Sequence, residues 1–228
     1  MAYSPVHPLV GHGPVDQLFV PSTTALHPQG MILDAYDPYW GQGRFIYLKS
    51  AAAQVVGNIV MWKEDFVATV VPSTANQGFP VAVAHQTIAS GAWGWYMLSG
   101  FTPIKVSASV ATDVAIGIGT SAGLGGTYAT GKGLTGIQVL QAATYAVTAQ
   151  GLTKKGSKEI RLNKLDGFFV GGALTGTGVA AGTVATMNPL AVISTADSTA
   201  SATVTVTCTY TGFVLANINH PSCTMVTA

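Results

Sequence analysis

Ile88-Ala89-Ser90-Gly91-Ala92-Trp93-Gly94-Trp95-Tyr96-Met97-Leu98-Ser99-Gly100 is the stretch on which the fold class turns. Ser90-Gly91 reads as a turn, and residues 93–98 read as the strand that leaves it. Successive side chains of a strand point to opposite faces. Trp93, Trp95 and Met97 therefore share one face, while Gly94, Tyr96 and Leu98 share the other. Large aromatics contribute most to burial. Trp93, Trp95 and Tyr96 are accordingly expected in the core or at an oligomer interface, with a sugar-stacking face as the alternative.

Working outward, similar short strands recur. Residues 44–49 are rich in β formers. Gly57-Asn58 turns into a strand at 59–62, Lys63-Glu64-Asp65 turns the chain, and 66–71 runs back. Further strands are expected at 80–85, 104–110 and 114–118. Strands at this spacing predict an antiparallel sandwich or barrel. Residues 137–147 fit either a short helix or a strand.

Residues 1–38 hold six of the eleven prolines, with apolar residues between them. Proline fixes φ and removes a backbone donor, so an interior helix or central strand is excluded there. Residues 1–30 are read as an extended N-terminal arm, with Val6, Leu9, Val10, Leu18, Phe19 and Val20 as its contact residues. Residues 31–151 and 210–228 are read as the β core. Residues 152–209 are read as a second small β unit inserted near the C-terminus. It opens on a charged stretch, 153–166, holding seven of the nineteen charges. In 200–209, Val204 and Val206 fall on one face and Thr205 and Thr207 on the other. Residues 210–216 are read as a closing strand of the core.

Charged residues make up only 8% of the 228-residue chain, against roughly 25% in an ordinary domain. Ten Lys and Arg against nine Asp and Glu supply no cationic footprint, so no nucleic-acid partner is expected. Gly and Thr interrupt every long uncharged stretch, which argues against a helical membrane span. The aromatics thin out after residue 102, which argues against a membrane β-barrel with its girdles. No basic segment followed by an apolar run opens the chain, so no signal peptide is expected. Cys208 and Cys223 are too few for a disulfide framework and are read as free thiols, with pairing left open.

Motifs that could carry chemistry are weak. Gly119-Thr120-Ser121-Ala122-Gly123 matches a nucleophile elbow, but Leu124-Gly125-Gly126 cannot start the helix that the elbow needs. Residues 117–122, 131–136 and 176–181 match a dinucleotide-binding glycine pattern without opening a helix, and are read as turns. His7, His12, His27, His85 and His220 make no metal-ligand spacing. Asp34 and Asp37, beside Tyr36, Tyr39 and Pro38, are read as a turn preceding the first strand. No enzyme activity, cofactor or metal site is expected.

A resemblance covers most of residues 31–221. It is carried by Asp34-Ala35-Tyr36-Asp37-Pro38-Tyr39-Trp40-Gly41-Gln42-Gly43-Arg44-Phe45, by Val81-Ala82-Val83-Ala84, by the Trp93 hairpin quoted above, and by Tyr210-Thr211-Gly212-Phe213 with the tail to Pro221. Together these resemble the capsid decoration (cement) proteins of tailed bacteriophages. The run Leu174-Thr175-Gly176-Thr177-Gly178-Val179-Ala180-Ala181-Gly182-Thr183 looks like a β unit of phage and bacterial surface proteins. The resemblance implies a virion protein, made in the host bacterial cytoplasm and bound to the outer capsid surface. Its partners would be the phage's major capsid protein and other copies of itself, as a homotrimer or alternatively a homodimer. It would clamp neighbouring capsid subunits, and the family offers no catalytic residues to carry over. A carbohydrate-binding surface or tail module of a virion is the rival expectation.

Overall fold

The computed structural model describes residues 4–5, 20–37, 40–142, 144–165, 167–188 and 191–223. Among them there is no helix, and the protein is all-β. The strands are β1 (Ser4–Pro5), β2 (Ile32–Asp37), β3 (Gly41–Ser50), β4 (Ile59–Met61), β5 (Val67–Val70), β6 (Val81–Ala84), β7 (Trp93–Lys105), β8 (Ala115–Ile118), β9 (Gly125–Thr127) and β10 (Gly133–Gln141). There follow β11 (Thr144–Thr153), β12 (Glu159–Leu162), β13 (Ala173–Thr175), β14 (Gly182–Asn188), β15 (Ala191–Ser194), β16 (Ala202–Thr211) and β17 (Phe213–Cys223). They form two compact units, the larger from Tyr3–Ala143 with Gly212–Ala228 and the smaller from Thr144–Thr211.

The larger unit is one eleven-stranded sheet with an extra pairing between β3 and β7. That pairing closes a ring, because β3 pairs β5, β5 pairs β4, β4 pairs β6, and β6 pairs β7. Alternation then sends Ile46, Leu48, Val60, Ala68, Ala82, Ala84, Tyr96 and Leu98 into one buried cluster. A ring of so few strands is filled by side chains, and small residues must offset large ones. The alanines at 68, 82 and 84 leave room for Tyr96, which is fully buried. Gly94 is required in the same interior, since a Cβ there would stand 2.5 Å from Ile88 Cδ1.

The second half of β7 pairs β17, and β10, β8 and β9 continue the sheet. Thr102 and Ile104 on β7 lie opposite Ala216 and Val214 on β17, and Val139 on β10 lies opposite Ala216. All five are buried, and they form one continuous face.

The smaller unit is a closed barrel in the order β11-β12-β15-β14-β13-β16. Ten successive residue pairs join β11 to β16. Val204, Val206, Cys208 and Tyr210 point inward, and Thr203 and Thr205 stand exposed outside. Tyr145, Phe169 and Tyr210 stack inside, the last two with centroids 3.5 Å apart.

Several expectations need correcting. The inserted unit starts at Thr144 and ends at Thr211, because β11 and β16 pair along their whole lengths. Residues 137–147 are strand, divided between β10 and β11. Residues 210–216 are not one strand. Gly212, at φ 75°, ends β16, and the chain restarts as β17 in the larger unit. The sheet is not wholly antiparallel, since β3 and β5 run parallel. Asp34 and Asp37 do not lie in a turn but on β2 itself.

Candidate functional site

Trp93, Trp95 and Met97 do share a face, and β3 supplies its other half. Lys49, Tyr47 and Phe45 lie directly opposite them in register. The Tyr47 ring stacks on Trp93 at 5.7 Å and 15°, and meets Trp95 at 5.1 Å. Lys49 Nζ stands 5.8 Å from the Trp93 ring centroid, a cation–π contact.

Residues 20–30 cover this face. Ser22 and Trp93 exchange backbone hydrogen bonds of 3.0 and 2.7 Å. The Leu26 amide donates to the Tyr47 hydroxyl at 3.1 Å. His27 packs edge-on against Tyr47 at 5.0 Å and against Trp95 at 5.3 Å. Tyr47 and Trp95 are consequently only 3% exposed each. Burial raises the Tyr47 pKa, with the Leu26 amide opposing it. Burial also pushes Tyr96, on the opposite face, up to about 12, so its hydroxyl stays protonated.

Trp95 and Tyr96 are thus core residues, and Trp93 is half-buried beside Lys49. Of the six arm residues singled out, Val20 is exposed, and Val6, Leu9, Val10, Leu18 and Phe19 lie outside the described residues. Residues 20–30, assigned to the arm from sequence, are bonded to the body.

A second surface is the strand β2, which lies between β1 and β3. Leu33 and Ala35 are buried, while Ile32 and Tyr36 project on the other face, each 51% exposed. Between them Asp34 accepts a two-point grip from Arg44 on β3, 2.7 Å from Nε and 3.1 Å from Nη2. This fork orients both groups, though half-exposed ion pairs contribute about 1 kcal/mol at most. Among the described residues, β1 pairs β2 at Ala35 and Tyr36.

The other candidates resolve into structure. Ser121 sits in the exposed turn between β8 and β9, where its carbonyl accepts from the Leu124 amide. The three glycine patterns lie at strand-to-strand turns. Among the described residues no group of His, Cys, Asp or Glu is arranged to hold a metal ion. His7 and His12 fall outside those residues. His85 is buried beside Phe45, and burial lowers its pKa to about 3. Cys208 and Cys223 are free and buried, with thiols pushed up to about 12 and about 11 by burial. Among the described residues no helix is long and apolar enough to cross a membrane.

Tyr47, His27 and the Asp34–Arg44 pair were not singled out from sequence. A β2–β3 hairpin centred near residue 39 would have placed Asp34 opposite Arg44, so that signal was present in the spacing.

The geometry defines a class: an all-β protein of two units, one a closed barrel, with a largely covered aromatic face and a strand, β2, whose outer face carries Ile32 and Tyr36. No protein-family model, no curated protein and no solved structure matches the chain.

Proposed function

We propose that the protein decorates the outer surface of a tailed-phage capsid and braces neighbouring major capsid subunits. The observation that carries this reading is the edge of β2. Two large apolar side chains, Ile32 and Tyr36, stand exposed on it in a chain with very little charge, and among the described residues β1 engages two of its six positions. An exposed strand edge offers main-chain donors and acceptors to an added strand, and its apolar neighbours offer side-chain pockets. A partner displaying many identical sites rewards such modest contacts, because each copy that binds only the assembled shell stabilises it by mass action. Self-association as a trimer, or alternatively a dimer, would hide further neutral surface.

The proline-spaced N-terminal residues, including Val6, Leu9, Val10, Leu18, Phe19 and Val20, are assigned to the capsid or to a neighbouring copy. Deleting residues 1–19 leaves the Ser22–Trp93 pairing in place and removes β1 from Ala35 and Tyr36, which separates the arm's contribution from that of the β2 edge. The truncated chain should remain folded and lose binding to empty shells. Undiminished binding would refute the arm's role.

The second reading, a carbohydrate-binding virion module, draws on Trp93, which is half-buried with Lys49 over its face. It predicts glycan-array binding that Trp93→Ala abolishes. Trp95 offers no ring face to such a ligand, because it is covered by His27 and Tyr47.

A further inference from the structure

The charged stretch 153–166 has no part in capsid binding as argued above. It contains five of the chain's ten Lys and Arg and two of its nine carboxylates, which gives net +3 in a chain of net +1. Lys154, Lys155, Lys158, Arg161 and Lys164 are all exposed. The stretch borders a groove of about 690 Å³ on the smaller unit, lined by Leu152, Thr153, Lys154, Ser157, Glu159, Arg161, Ser201, Ala202 and Thr203.

Three features make this groove more than a solvated face. First, its floor is set by register: Arg161, Leu152 and Thr203 lie side by side across β12, β11 and β16. Leu152 is 55% exposed between a cation and a hydroxyl. Second, its rim is held in place. Thr153, 2% exposed, donates to the Ala200 carbonyl at 2.9 Å and accepts from the Ala202 amide at 3.2 Å. The Gly156 amide donates to Ser198, and the Ser198 amide donates to Ser157. Third, its hydroxyls are oriented. Ser201 Oγ accepts from the Lys155 amide at 3.0 Å, and Ser157 Oγ accepts from the Glu159 amide at 3.1 Å. A hydroxyl whose lone pair faces the backbone keeps its proton for an outside acceptor. Glu159 likewise fixes Arg161 through Nε at 2.8 Å, which leaves the terminal nitrogens to donate.

We propose that this groove binds an acidic oligosaccharide. A sugar acid needs charge-assisted donors for its carboxylate or sulfate, here Lys154 and Arg161. It needs neutral donors for its hydroxyls, here Ser157, Ser201 and Thr203, and an acceptor, here Glu159. It also needs an apolar contact for a C–H ring face, here Leu152. The volume falls in the usual range of small-ligand sites. No aromatic side chain lines the groove, so bases have nothing to stack on, which disfavours nucleic acid. A single apolar side chain disfavours a lipid surface. The proposal holds whether or not the protein sits on a capsid.

The test is titration of the isotope-labelled full chain with tri-galacturonate and with a heparin tetrasaccharide, followed by NMR. Maltotriose, a short DNA duplex and anionic phosphatidylglycerol vesicles serve as comparison ligands. Shifts confined to residues 150–163 and 201–205 with either acidic sugar are expected. The Lys154→Ala/Arg161→Ala double variant should bind at least about tenfold more weakly, while Lys63→Ala should bind as the parent does. Both altered side chains are exposed, and an unchanged melting temperature verifies the fold. Absence of shifts with both acidic sugars would overturn the proposal. So would equal binding of maltotriose, tighter binding of DNA or vesicles, or loss of binding on Trp93→Ala and not on the double variant.

Discussion

Ser22 and Trp93 exchange two backbone hydrogen bonds, which tie the segment around residue 22 to the body. Further along, the Leu26 amide and the His27 ring cover Tyr47 and Trp95 on the aromatic face of the larger unit.

This boundary separates two truncations. Removing residues 1–19 takes away the short β1–β2 pairing but leaves the Ser22 pairing, so the melting temperature should fall by no more than about 4 °C. Removing 1–30 deletes that pairing, the Leu26–Tyr47 bond and the His27 cover over Trp95. The combined loss is about 2–4 kcal/mol, which lowers the melting temperature by about 6–12 °C. Calorimetry on both truncations distinguishes them.

Acid should destabilise the larger unit through His85. In the unfolded chain its pKa is near 6.5, and in the folded chain it is about 3. As pH falls through 6.5 the unfolded state takes up a proton that the folded state refuses. Stability is therefore whole above 6.5 and declines from there down to about 3. Between pH 6.5 and 4.5 the loss is on the order of 2 kcal/mol for this one group. His85→Gln should flatten that part of the profile in urea melts at pH 7.5 and 4.5. Parallel profiles for the two proteins would refute the assignment.

Inside the barrel, the Tyr210 hydroxyl donates to the Phe169 carbonyl at 2.9 Å and accepts from its amide at 2.6 Å. It completes the hydrogen bonding of a main-chain residue that no strand pairs. Burial, first of all, raises its pKa far above the ordinary value, so it remains a donor at any working pH. Tyr210→Phe takes one hydrogen bond from each of these two main-chain groups and should cost about 1–3 kcal/mol. Calorimetry should show that loss in the transition of the smaller unit.

Gly94→Ala should destabilise the five-stranded ring by about 1–3 kcal/mol through overpacking against Ile88 Cδ1. Ile88→Val removes that methyl. In a double-mutant cycle the pair should be less destabilising than the sum of the single changes. Strict additivity would mean that the clash is relieved elsewhere.

Where side-chain alternation carried the signal, the strands were legible from sequence. Residues 93–98 and 204–209 are examples, each with one face inward as expected. What could not be read was which strands meet. The ring depends on β3 reaching both β7 and β5, contacts that no local pattern encodes. The junction at Gly212 was hidden because Tyr210 to Ala216 looks like one apolar run, and only the positive φ of Gly212 divides it. His27 was weighed only as a metal ligand, and the proline-spaced arm around it was expected to contact the capsid or a neighbouring copy rather than this protein's own aromatic face. The groove on the smaller unit was half visible: the charge cluster stood out, but Thr203 on β16 and Ser201 just before it lie about forty residues further on, and only pairing brings them alongside.

The most direct measurement of the proposed function is co-sedimentation of the full chain with assembled empty shells, run beside the unassembled major capsid subunit. Capsid decoration predicts pelleting with shells that saturates at a fixed ratio to the major subunit, with little binding to free subunits. Failure to pellet with shells, or equal binding to unassembled subunits, would contradict it.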